Sequence, residues 1–65
     1  MDRAALHERA NGLRDDIARI KGKIAVIESP AFQGLAKDEQ LSNLRKMLAL
    51  RRFELDSVET QLSGG

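Results

Sequence analysis

Leu6, Ala10, Leu13, Ile17, Ile20, Ile24 and Ile27 follow one another in alternating steps of four and three. That rhythm places them on one stripe of an α-helix with a heptad repeat, whereas a strand would alternate every second residue. Asp2 is positioned to cap this helix, and no proline interrupts residues 3–28. Pro30 disfavours helical geometry in the residue before it, so the first helix is predicted over about 2–29. Gly12 and Gly22 lie inside it. Each costs about 1 kcal/mol relative to alanine, which points to a packing reason for both.

A second stripe, Leu41, Leu44, Leu48, Arg51, Leu55, Val58 and Leu62, has the same steps and predicts a helix over about 38–62. Asp38 and Glu39 sit at its positive N-terminal end, and its cap is either Ala36 or Asp38. The short turn 30–37 lies between the two helices. Ser29 as cap and Pro30 as first residue can open one helical turn over 31–35, halted by Gly34. Phe32 and Leu35, three apart, would both fold onto the end of the bundle. Ser63-Gly64-Gly65 reads as a frayed tail, 63–65. Two similar helices joined this closely form an antiparallel hairpin. Its register sets Leu41 near Val26, Leu48 near Arg19 and Ile20, and Leu55 near Gly12 and Leu13.

A chain of 65 residues buries only about 60% of its extended surface, and a hairpin has a seam rather than an enclosed interior. There is a second face with which to bury more. Ala4, Asn11, Ala18, Gly22, Ala25 and Ser29 are all small and lie roughly opposite the first stripe. On the second helix Leu50 and Phe53 stand off the main stripe, with Met47 between the two faces. A helix with apolar residues on two faces has neighbours on both. The expected fold is therefore all-α, an antiparallel two-helix hairpin assembling into a homo-oligomeric helical bundle, at least a dimer of four helices. Its interface would be built from Ala18, Gly22, Ala25, Met47, Leu50 and Phe53.

Composition narrows the chemistry. There is no cysteine and a single histidine, His7, so neither a thiolate nor a histidine-based metal site is expected, and no cofactor. Eleven bases against ten acids give a net charge of +1, which argues against broad nucleic-acid binding. Phe32 and Phe53, the two aromatics, are too few for base stacking. No apolar run approaches the roughly 20 residues of a membrane span, and Met1-Asp2-Arg3 does not lead into a signal-peptide core; a cytoplasmic protein is expected. Nothing assembles a catalytic triad. Asp15 and Asp16 point about 100° apart on a helix and do not share a site, and His7 is expected to be exposed. Gly34 alone makes no phosphate loop.

Arg51 stands where a leucine would fit the stripe. It either pairs with Asp16 or Asp15, which the register places opposite, or reaches an anionic ligand between chains together with Arg52 and with Arg45 or Lys46. The guanidinium fork suits phosphate because it donates two hydrogen bonds at once. Lys21 and Lys23 flank the first stripe, as do His7, Arg9 and Arg14. They are either solvated edge charges pairing with acids on a neighbour or, multiplied by symmetry, parts of an anion site. The ligand candidates are Arg51, Arg52, Arg45 and Lys21.

Glu28-Ser29-Pro30, Phe32, Leu35, Glu39-Gln40, Leu44, Met47, Leu50 and Phe53 follow a spacing that resembles a group of small bacteriophage helical-hairpin proteins related to a short protein of crAss-like phages. The resemblance spans residues 27–62; a tyrosine is commoner where Phe53 stands, and Arg51-Arg52 fall outside the pattern. It implies a phage or prophage origin and an accessory role in the host cytoplasm. In size and architecture the chain is also similar to phage sponge proteins, which sequester cyclic nucleotides made by defence systems such as CBASS and Thoeris. Two functions are thus expected as alternatives: a non-enzymatic binder that sequesters an anionic nucleotide signal at chain interfaces, or a protein-interaction module acting as adaptor or inhibitor of a host or phage protein.

Overall fold

The computed structural model describes residues 2–64, in which two α-helices, α1 (Arg3–Glu28) and α2 (Lys37–Ser63), pack against each other as a hairpin. Asp2 caps α1, its Oδ1 accepting a hydrogen bond from Ala4 N–H at 3.0 Å. The chain then reverses in residues 29–36. Phe32 N–H donates to Ser29 C=O at 3.0 Å and Ala31 N–H to Ser29 Oγ at 3.3 Å, which closes a tight turn around Pro30. The helical turn expected over 31–35 does not form. One turn hydrogen bond closes, and none continues the pattern through Leu35.

Gly34 has a different use from the expected helix stop. The Phe32 ring occupies the space that a Cβ on Gly34 would need, so the glycine makes room for the aromatic. Leu35 does not fold onto the bundle and is 89% exposed; Phe32 is half-buried. Ala36 is the N-cap of α2, in the left-handed region at φ 55° and with no side-chain capping bond. Gln40 ties the connection to the helix: its side-chain amide donates to Leu35 C=O at 2.7 Å, and its backbone N–H makes the first helical bond to Ala36 C=O at 2.9 Å. At the far end Ser63 belongs to α2 rather than to a frayed tail. Its hydroxyl donates to Glu59 C=O at 3.0 Å, and Gly64 N–H donates to Thr60 C=O at 2.7 Å. Gly65, the rest of the expected tail, and Met1 lie outside the described residues.

The seam is made by the two stripes. Ala10, Leu13, Ile17, Ile20 and Ile27 of α1 and Leu41 and Val58 of α2 are buried; the remaining stripe residues are half-buried. Toward the open end of the hairpin Ala10, Leu13 and Val58 form a buried cluster, with Leu6, Leu55 and Leu62 packed against it. A methyl side chain at Ala10 lets α2 come close there, and Ala10 is fully covered. Burying each large member contributes about 2 kcal/mol. No charged or polar residue is buried among those described, and neither helix is long and apolar enough to cross a membrane. A Cβ added at Gly12 or Gly22 would meet nothing within 4 Å, so the expected packing reason for these glycines is not supplied by the chain itself.

Candidate functional site

Positions beside the seam recur every seven residues and form two flanks of the hairpin. On the first flank Arg14 Nη2 lies 3.0 Å from Glu59 Oε2, and Arg45 Nη2 lies 3.0 Å from Glu28 Oε2. Arg14, Lys21 and Glu28 are successive heptad positions of α1; Arg45, Arg52 and Glu59 are successive heptad positions of α2. The helices run antiparallel, 14 facing 59 and 28 facing 45, so 21 faces 52. The first flank is therefore a ladder with an ion pair at each end and Lys21 opposite Arg52 in the middle. Among the described residues neither of these two bases is in an ion pair. Ala18, Ala25 and Ala49, all exposed, surround the middle rung.

The second flank is different. Arg51 Nη1 is 3.0 Å from Glu54 Oε1 on its own helix, and Arg51 Nε is 3.8 Å from Asp16 Oδ2 across the seam. Arg9 Nη2 reaches the other Glu54 oxygen at 3.4 Å. Beyond this cluster, toward the connection, lies an open groove of about 830 Å³ lined by Arg19, Gly22, Lys23 and Val26 of α1 and Gln40, Asn43 and Leu44 of α2. Toward the helix ends a second hollow is lined by Leu6, Arg9, Phe53, Glu54 and Ser57. Met47, a heptad position between Gln40 and Glu54, and Leu50 lie on the stretch that joins them. Val26, Met47, Leu50 and Phe53 are exposed by 63%, 45%, 61% and 75%. Large apolar side chains therefore face outward along this whole flank.

The residues singled out from sequence divide between these surfaces. Arg51 is held by Asp16 and Glu54, and Arg45 by Glu28. Asp15 is exposed and takes no part in an ion pair among the described residues. Lys21 and Arg52 are the candidate bases left without an acid, and the register brings them together. Gly22, Met47, Leu50 and Phe53 belong to the apolar flank, while Ala18 and Ala25 lie beside Lys21 on the ladder flank. His7 is exposed. No group of described histidine or acidic residues is arranged to hold a metal ion. The sequence reading missed Val26 and the acids Glu28, Glu54 and Glu59. The seven-residue spacing of the flanking charges was the signal for Glu28 and Glu59. No family model, curated protein or solved structure matches the chain.

Proposed function

We propose that the protein is a non-enzymatic association module whose apolar flank packs against a second copy to form a four-helix bundle. The exposure of Val26, Met47, Leu50 and Phe53 along one flank carries this reading. A two-helix layer cannot enclose a core, and the general solution is to lay a second layer on it. A second copy is the partner that is always present. Sedimentation equilibrium at micromolar concentration tests the reading. The expected mass is at least twice the 7.2 kDa of one chain; a folded, highly helical monomer would overturn it. An adaptor or inhibitor acting on a host or phage protein would use the same flank.

A second reading is favoured by the Lys21–Arg52 rung: sequestration of an anionic nucleotide signal in the cytoplasm, as the phage resemblance implies. Arg51 and Arg45, already neutralised by acids, drop out of its ligand set. Calorimetric titration with cyclic nucleotides should then show an affinity about tenfold or more weaker for Arg52→Ala and unchanged for Arg51→Leu.

A further inference from the structure

We propose that the Lys21–Arg52 rung is a binding site for a phosphate-class oxyanion. The proposal deepens the sequestration reading by giving it a site and a ligand chemistry. It is independent of self-association, which uses the other flank. A hairpin that completed its own ladder would place an acid at 21 or at 52, as it does at 59 and 28. Instead two cations face each other, and like charges in this arrangement repel. The neighbouring acids of the ladder, Glu28 and Glu59, stand one heptad away, about 10 Å along each helix, and each is paired with its own arginine at 3.0 Å. Asp56, one helical turn beyond Arg52, forms no ion pair with it.

The surroundings admit a ligand. Ala18, Ala25 and Ala49 carry no side chain beyond Cβ, so the approach to both bases is open. The two donors suit a tetrahedral oxyanion. The guanidinium of Arg52 presents a planar fork that bonds two oxygens at once, and the ammonium of Lys21 supplies a compact charge with rotatable donors. Two positive charges match a phosphate dianion, or one phosphodiester group and a neighbouring acceptor.

The test is a backbone amide NMR titration of the intact chain at constant ionic strength, with inorganic phosphate in one arm and a cyclic dinucleotide in the other. Saturable shifts confined to residues near Lys21 and Arg52, including Ala18, Ala25 and Ala49, are expected with inorganic phosphate. Arg52→Ala should weaken the affinity about tenfold or more, as expected for losing a charge-assisted contact. Lys21→Glu should remove the response and also raise the melting temperature by about 2 °C, because it supplies the acid that the middle rung lacks. Equal shifts at Lys23, Lys37 and Lys46, or a response that survives Lys21→Glu, would overturn the site. Phosphate binding without dinucleotide binding supports the site and removes nucleotide sequestration. Dinucleotide binding that survives Lys21→Glu keeps sequestration and overturns this site.

Discussion

The two flanks of the hairpin border the same seam and differ in what they leave unsatisfied. On the ladder flank, charges at heptad spacing find partners across the helices at both ends, and the surface between them is alanine, lysine and arginine. On the other flank the charges gather around Arg51, and large apolar side chains project outward on either side of that cluster. A flank of charges can satisfy itself within one chain, because each long side chain reaches its partner and its end stays in water. Val26, Leu50 and Phe53 have no such option. They stop facing water only when another surface covers them, and this is the ground on which the apolar flank is proposed for association.

Charging the two flanks in the same way should separate them most clearly. Leu50→Glu with Phe53→Glu is expected to weaken self-association at least about 100-fold, since central apolar anchors each contribute about 2 kcal/mol or more. Ala18→Glu with Ala49→Glu on the ladder flank should leave the sedimentation mass unchanged. A smaller effect is expected at the helix 1 glycines. Nothing lies within 4 Å of a Cβ at Gly12 or Gly22, so alanine at either should stabilise a lone hairpin by about 1 kcal/mol. Gly22 lines the groove, and a gain for Gly12→Ala with a loss for Gly22→Ala in thermal melts of the assembled protein would show that groove covered.

Arg51→Leu should be neutral or stabilise by up to about 1 kcal/mol in urea unfolding, because an apolar residue in the seam often outperforms a part-buried ion pair. A marked loss of stability would mean that the Asp16–Arg51–Glu54 cluster holds the second flank together. The smallest change belongs to the ladder. Arg14 and Glu59 are half-exposed, so Glu59→Gln should cost about 0.5 kcal/mol at low salt and nothing measurable at 1 M salt.

The seam was legible residue by residue, because burial along one side of a helix leaves an apolar residue every three or four positions. The pairing of Arg51 with Asp16 was legible too, since loop length fixes which turns of the helices lie opposite. Glu54 was less visible. It sits one turn from Arg51 on the same helix, and the reading looked for a partner across the seam. Leu35 was misread for a physical reason. A three-residue spacing from Phe32 implies a shared face only if the backbone between them is helical, and the turn at Pro30 closes before that can happen. Lys21 and Arg52 were picked out separately as bases. That they face each other follows only from the register set by the ion pairs on either side of them.

Pro30 has a consequence for topology as a whole. Were residues 29–36 helical, α1 and α2 would merge into one rod of about 90 Å at 1.5 Å per residue, against the 47 Å length of the hairpin. In such a rod Leu41, Leu48, Leu55 and Leu62 would continue the heptad line of Leu6, Leu13, Ile20 and Ile27, and a second rod could cover that line lengthwise. Apolar patterning alone does not choose between the two shapes. Pro30 does: it has no N–H to donate to the Val26 carbonyl, and its ring would clash with that carbonyl in a continuous helix. The Val26 carbonyl instead accepts from Ser29 N–H at 3.2 Å. The choice of a bent rather than a straight chain is thus made locally, by the geometry of one residue, and does not depend on contacts between the helices.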